Sequence, residues 1–539
     1  MTFKDKVVYQ IYPKSFMDTN NDGFGDLNGI TKKLGYLSEL GVDYLWITPF
    51  FKSPQNDNGY DVSDYYEIDE RFGTMDDFEN LCQQAKKYEI KIILDMVLNH
   101  TSTEHHWFQE ALKGNKKYQD YYIFKKSPKI PTNWISKFGG STWEYVSDLD
   151  LYYLHLFDKT QADLNWDNEE VRLEMANIVN FWMEKGASGF RFDVINLISK
   201  PEEYHDDFVF DGRRFYTDGP NVHKYLKELN LRSFSKIDGL TVGEMSSTTV
   251  DNCIKYSNPE NNELSMTFSF HHLKVDYLNG EKWQIKKADF KELKSILVEW
   301  QEKMEQGGGW NALFFNNHDQ PRAISRFFND QEFRYESSCL AATLIHMLRG
   351  TPYIYQGEEI GMTNAYFDDI NTYRDVESLN YYQILKKQNL NNKEIMKIIK
   401  ARSRDNSRTP MQWDNSKYAG FSKVEPWLSV IDNYQEINTE QDRVNEKSIF
   451  RYYQELIKLR KNYQDISEGS FKYLENNPEL IFAFERGERF LVVLNLSNQK
   501  LEFDFTNYQN YQTILSNYNN PSSLLNEYEA RVLIKNKGQ

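Results

Sequence analysis

Gly189-Phe190-Arg191-Phe192-Asp193-Val194 is the stretch on which the reading of this chain turns. It reads as a buried strand, apolar on both sides, that ends in a carboxylate. Ahead of it, Val171, Met175, Ile178 and Trp182 recur at three- and four-residue steps, which predicts a helix over roughly 169–185 with one apolar face. Gly186 and Gly189 close that helix and open the strand. Arg191 and Asp193 lie two apart, so in a strand they point to the same side. By themselves they read equally as an ion pair capping a strand. At the C-terminal end of a strand in a parallel barrel, the same pair sits where chemistry is done.

Working outward, seven more strand candidates carry the same rhythm: 7–13, 42–49, 91–100, 240–245, 263–270, 311–319 and 351–359. Helical patterns separate most of them, including Ile30, Leu34, Leu37 and Leu40 closed by Gly41, and the segment 76–88. Alternating strands and helices mark parallel βα units with right-handed crossovers. Eight of them close a (β/α)8 TIM barrel, an α/β fold. Between His100 and Asp163 the periodicity is lost over a stretch too long for an ordinary loop, which predicts a small inserted domain after the third strand. A second irregular excursion, 361–436, follows the eighth strand, and Ile449, Phe450, Tyr453, Leu456 and Ile457 mark the last barrel helix. Beyond about residue 468 only short strands remain (471–475, 480–486, 490–496, 501–505, 511–515 and 530–534), which reads as an antiparallel β domain. The expected division is a barrel over 1–103 and 169–467, an insertion over 104–168, and a C-terminal β-sandwich over 468–539.

The 539 residues carry a formal net charge of −16, which argues against nucleic acid or an anionic membrane as main partner. No stretch is long and apolar enough to span a bilayer, and Met1 to Lys6 lack the apolar core of a signal peptide. Three cysteines, Cys82, Cys253 and Cys339, are far apart and odd in number, so neither a disulfide framework nor a zinc pattern follows. A cytoplasmic protein with free thiols is expected, as a monomer or weak oligomer. The aromatic content is high, with 36 Tyr, 35 Phe and 11 Trp, which suits carbohydrate faces as well as cores.

Three strand candidates end in acids: Asp193 on the fourth, Glu244 on the fifth and Asp319 on the seventh. Two carboxyls flanking a glycosidic bond serve as nucleophile and proton donor, ~5–5.5 Å apart in the retaining mechanism. The nucleophile must be ionised, which a neighbour such as Arg191 favours, whereas the donor must hold its proton. A third acid steadies an oxocarbenium-like centre. His100 and His318 stand at strand ends beside Asn99 and Asn317, and neutral imidazoles suit sugar hydroxyls.

DMVLNH (95–100), GFRFDVI (189–195), VGEM (242–245) and NNHDQPR (316–322) resemble the four signature regions of the alpha-amylase family of retaining glycosidases. QADLNW (161–166) resembles that family's additional segment at the end of the inserted domain. The resemblance implies Asp193 as nucleophile, Glu244 as general acid/base and Asp319 as transition-state stabiliser. It also implies that Asp61, His100, Arg191, His318 and Arg404 grip the innermost sugar. SRDNSRTPMQW (403–413) also contains Arg408, and the motif leaves open which of the two arginines makes that contact.

Asp18, Asn20, Asp22 and Asp26, with the carbonyl of Phe24, place oxygen donors at every second position around Gly23. No Glu stands at the twelfth position, so this is not an EF-hand. It reads either as an ion-free Asx turn or, by resemblance to the oligo-1,6-glucosidase branch, as the site of one structural Ca²⁺ or Mg²⁺. No organic cofactor is expected.

Val194 after the nucleophile also resembles the oligo-1,6-glucosidases, which cleave neutral, isomaltose-type α-glucosides. In contrast, 210–230 and 242–283 resemble the branch of the family that hydrolyses trehalose 6-phosphate. In that stretch His271, His272, Lys274 and Lys282 gather cations in an acidic chain, and Asn279-Gly280 predicts a turn that folds Lys282 back toward Lys274. Such a cluster is either a solvated basic surface or, as the resemblance implies, a phosphate site built on Lys274 and Lys282. The substrate implied is then a small phosphorylated disaccharide, with oligo-1,6-glucosidase activity as the alternative. A non-catalytic, glycosidase-like partner protein is a third reading, opposed by the complete set of acids.

Overall fold

The computed structural model describes residues 3–475, 478–519 and 521–536; Met1 and Thr2, the start of the amino-terminal stretch, lie outside them. Eight strands form the barrel: β1 Val8–Ile11, β2 Tyr44–Ile47, β3 Lys91–Met96, β4 Gly189–Phe192, β5 Leu240–Glu244, β6 Met266–Phe268, β7 Asn311–Leu313 and β8 Thr351–Tyr355. Each barrel strand pairs in parallel with the next one in the chain, and β8 returns to β1 and closes the ring. The strands are shorter than their sequence stretches. Asn99, His100, Asp193 and the run 316–319 lie past the C-terminal ends of β3, β4 and β7.

The helix Glu169–Glu184 forms as its periodicity predicts, with Val171, Met175, Ile178 and Trp182 buried. The Asn168 side chain caps it by accepting from the Glu170 N–H, and Gly186 at φ 116° turns the chain into β4.

Three elements rise over the rim. Residues 124–154 hold a three-stranded antiparallel sheet, and the chain returns through Gln161–Asp163, which pairs antiparallel with His100–Ser102. Its apolar cluster (Ile123, Trp134, Trp143, Leu154, Leu156) includes Val194, Leu197 and Tyr216 from the barrel side, so the insertion is seated directly above β4. After β6, Tyr277–Leu278 and Glu281–Ile285 form a hairpin whose turn, Asn279-Gly280, has φ of 56° and 77°. That hairpin leans through Trp283 on the helices Val376–Lys387 and Asn392–Arg402 of the excursion after β8.

Phe471–Tyr473, Ile481–Arg486, Phe490–Asn495, Ala530–Lys535 and Tyr511–Ser516 form one antiparallel sheet in that spatial order. Phe482, Phe484, Val492 and Val532 on one face belong to the same core as the barrel. Ile481, Ala483, Leu491, Val493 and Leu533 on the other face pack with Phe503 and Leu525, beside a two-stranded sheet. Cys82, Cys253 and Cys339 are free thiols. Among the described residues no helix is long and apolar enough to cross a membrane.

Candidate active site

Arg191 ties three neighbouring strands together. Its Nη1 donates to Asp95 Oδ1 on β3 at 2.6 Å and to Asp193 Oδ1 just past β4 at 2.7 Å, and its Nη2 donates to Glu244 at the end of β5. Asp95 also accepts from Trp46 Nε1 at 3.0 Å and from the Tyr60 hydroxyl at 2.9 Å. All four charged groups are buried. One guanidinium facing three carboxyls is stable only if protons are shared among the acids.

Burial pushes the Asp193 carboxyl up to about 6, with Arg191 pulling the other way. Burial pushes Glu244 further, to about 8; Arg191 opposes this, while the charges of Asp193 and Asp319 add to it. Glu244 is thus held above Asp193, so the proton of this acid pair resides on Glu244. Arg191 thus acts on Asp193 in the expected direction but is outweighed by burial. Val194 takes φ 36°, rare for a β-branched residue, and its N–H faces Glu244 Oε2 at 3.3 Å.

Asp319, past the end of β7, is half-buried, which alone would raise it. His318, Arg404 and Arg408 instead hold it well below the usual carboxylate range. Burial keeps His318 neutral down to about 3, so the guanidiniums, Arg404 and Arg408 first and then Arg191, are the charges that hold Asp319 ionised. Arg404 Nη1 stands 3.2 Å and Arg408 Nη2 2.8 Å from Asp319 Oδ1.

The three acids open into one hollow of about 270 Å³, walled also by Tyr60, His100, Phe138, Phe157 and Gln161. His100 is neutral, held down to about 4 by burial, with Nε2 against the Tyr60 carbonyl at 3.1 Å. His318 lies behind this wall, stacked on Tyr60 at 5.2 Å and hydrogen-bonded to Gln10 at 2.7 Å. Of the two arginines left open by the sequence, Arg404 lines the hollow, whereas Arg408 sits beneath it, donating to the His318 carbonyl.

Asp61 requires a correction. Its carboxylate turns into its own loop, accepting from Ser53 Oγ and from the N–H groups of Asn56 and Asp57, and it does not line the hollow. Asp57, four residues earlier, does, and pairs with Arg404 at 3.1 Å. Both acids lie in one Asx-rich loop, and the distant Arg404 decides which of them turns inward. The DNG-Tyr spacing of 57–60, which presents Asp57 and Tyr60 together, is the signal the sequence reading passed over.

Lys274 and Lys282 line the mouth of the same hollow, joined by Lys137 from the insertion. Lys282 Nζ is paired with Glu377 at 2.5 Å. Among the described residues the Lys274 ammonium has no hydrogen-bond or ion-pair partner, and burial lowers its pKa. His271 and His272 add no charge, since burial holds both down to about 4.

The Asp18–Asp26 loop does not line the hollow. Asp18 Oδ1 accepts from Asn21 N–H, Asn20 Oδ1 from Asp22 N–H and Asp22 Oδ1 from Phe24 N–H. One bond each leaves a second lone pair on these three oxygens, so with the Phe24 carbonyl they fit a hard cation in kind. Asp26 is different: both its oxygens are taken up by Thr19 and Gly29 as the cap of the helix Leu27–Lys32. Among the described residues no three His, Cys, Asp or Glu side chains gather as a metal site.

Residues 10–469 match the family model "Alpha amylase, catalytic domain". The chain therefore belongs to the alpha-amylase family, whose members are retaining glycoside hydrolases. Over 99% of its length it is 53% identical to the trehalose-6-phosphate hydrolase of Bacillus subtilis (strain 168), covering 94% of that protein. It is 47% identical to the oligo-1,6-glucosidase of Bacillus cereus, with 98% of each chain covered. The crystal structure of Bacillus licheniformis trehalose-6-phosphate hydrolase (TreA) superposes with a TM-score of 0.95 at 52% identity, covering 99% of this chain and all of that one.

Proposed function

We propose that this protein hydrolyses the α,α-1,1 bond of trehalose 6-phosphate, giving glucose and glucose 6-phosphate. The observation that carries the reading is the unpartnered Lys274 ammonium at the mouth of the hollow, with two further lysines beside it. A cation held half-buried without a counter-charge is costly, and an arriving phosphate removes that cost. The names of the relatives point the same way.

The glucose to be transferred lies deep, gripped by Asp57, His100 and Arg404, while Arg191, expected from the motif to touch the sugar, does not line the hollow and instead holds Asp193 and Glu244 in place. Glu244 gives its proton to the bridging oxygen as Asp193 attacks the anomeric carbon, so the C–O bond breaks and glucose 6-phosphate leaves. Glu244, now ionised, takes a proton from water, whose oxygen displaces Asp193 and releases α-glucose. Asp319, kept ionised, faces the positive charge that develops on the ring. The 47% identity to an oligo-1,6-glucosidase and the neutralisation of Lys282 by Glu377 favour action on neutral α-glucosides as a second reading. A structural divalent cation, Ca²⁺ or Mg²⁺, would be held by Asp18, Asn20, Asp22 and the Phe24 carbonyl. A phosphorylated substrate and free thiols support a cytoplasmic site of action, with the chain as a monomer or weak oligomer.

Purified protein assayed on trehalose 6-phosphate, trehalose and isomaltose tests the reading. The phosphorylated sugar is expected to be turned over most efficiently. Equal efficiency on trehalose and its phosphate, or a preference for isomaltose, would overturn it.

A further inference from the structure

We infer that Lys137, carried by the inserted segment, is a third cationic contact for the phosphate of the leaving sugar, acting with the hydroxyl of Ser246. This rests on the function proposed above. Lys137 sits in a turn pinned at both ends: its N–H donates to the Leu156 carbonyl at 2.9 Å, and Ser136 and Gly140 are bonded across the turn. Its Nζ donates to Ser246 Oγ at 3.0 Å. Ser246 lies two residues past Glu244 and is itself fixed, since its N–H and carbonyl both bond to the Asn196 side chain at 2.9 Å. Because the ammonium occupies a lone pair of Oγ, the hydroxyl proton is left to donate elsewhere, and among the described residues it has no acceptor.

Lys137, Ser246 and Lys274 line one hollow. Glu244 protonates the bridging oxygen, so the departing sugar extends past Glu244 along the side where Ser246 stands. The charge balance around Lys137 favours an anion. Arg213 and Lys274 face it as cations; of the two nearby carboxyls, Asp211 is paired with Arg213 and Glu244 is bonded to Arg191, and the Tyr216 ring covers the ammonium at 5.6 Å. Burial first, then Arg213 and Lys274, hold Lys137 down to about 7, with Asp211 and Glu244 pulling upward. A phosphate dianion at this point would hold it charged. Because Lys137 comes from the insertion and Lys274 from beyond β6, one phosphate would bridge two separate pieces of the rim.

The test uses the ratio of kcat/KM on trehalose 6-phosphate to kcat/KM on p-nitrophenyl α-glucoside, which cancels effects on the deep acids. Lys137→Met is expected to lower that ratio on the order of 10- to 100-fold, to weaken inhibition of aryl glucoside cleavage by glucose 6-phosphate, and Lys137→Arg to restore most of both. Above the phosphate's own ionisation near ~6, the wild-type ratio should fall as pH rises through about 7, and this fall should be absent in Lys137→Met. An unchanged ratio in Lys137→Met, or equal losses on both substrates with a lower Tm, would overturn the inference while leaving the proposed function standing. A wild-type enzyme indifferent to the phosphate would remove the proposed function first.

Discussion

The floor and the mouth of the hollow handle charge in opposite ways. On the floor every ionic group is matched: Arg191 bonds Asp95, Asp193 and Glu244, and Arg404 bonds Asp57, Asp319 and Asp375. At the mouth, Lys137 holds only a hydroxyl, Lys274 has no partner among the described residues, and Lys282 alone has a carboxylate. The floor is assembled from barrel strand ends, with Asp57 from the loop after β2 and with Arg404 and Asp375 reaching down from the excursion after β8. The mouth is assembled from the insertion, the hairpin after β6 and the excursion after β8. The matched set suits chemistry common to a whole family, and the unmatched set suits a choice among substrates.

The sharpest break between the two regions is in what each variant loses. Glu244→Gln should lower turnover on every α-glucoside by about 10²- to 10⁴-fold, and Asp193→Asn by at least as much, measured as kcat on phosphorylated and neutral substrates alike. Asp57→Asn should also lower both activities, because it removes a carboxylate that lines the hollow and pairs with Arg404, whereas Asp61→Asn should act mainly through loop stability and lower Tm more than kcat. A larger kcat loss for Asp61→Asn would put the sugar contact back on that residue. Lys274→Ala should lose on the order of 10- to 100-fold on trehalose 6-phosphate relative to p-nitrophenyl α-glucoside. Lys282→Ala should show the same bias, but a smaller one, because Glu377 already shares its charge. Equal losses on both substrates would erase the distinction between floor and mouth.

pH separates the regions more gently. On the neutral aryl glucoside, activity should fall as pH drops through about 6, where Asp193 takes up a proton, and as pH rises through about 8, where Glu244 loses one. A profile without the alkaline limb would contradict Glu244 as the acid. The smallest effect expected is from EDTA: Tm lower by a few degrees, restored by Ca²⁺ or Mg²⁺, with the kcat of the folded enzyme little changed. An unchanged melting curve would leave the Asp18–Asp22 turn without an ion.

What the sequence disclosed follows the same division. The strand ends were legible because an apolar run that stops at Asp193, Glu244 or Asp319 leaves a charge that the fold has to accommodate. Asp57 was not, because two acids four apart in an Asx-rich loop look alike until Arg404, 347 residues on, selects one. Lys137 lies in an aperiodic stretch where no pattern assigns a direction to any side chain. His271 and His272 looked cationic beside Lys274, but burial, which spacing alone does not report, leaves them neutral. Lys282 was read without Glu377 because the hairpin and the helix Val376–Lys387 meet only in three dimensions.

The carboxy-terminal sheet has a consequence for anyone wishing to shorten this enzyme. Phe482, Phe484, Val492 and Val532 share one continuous apolar core with the catalytic domain, and Arg486 reaches across to the Met347 carbonyl. Cutting the chain ahead of Phe471 would uncover a greasy flank and leave a catalytic body prone to clump, although no residue near the sugar would have been touched.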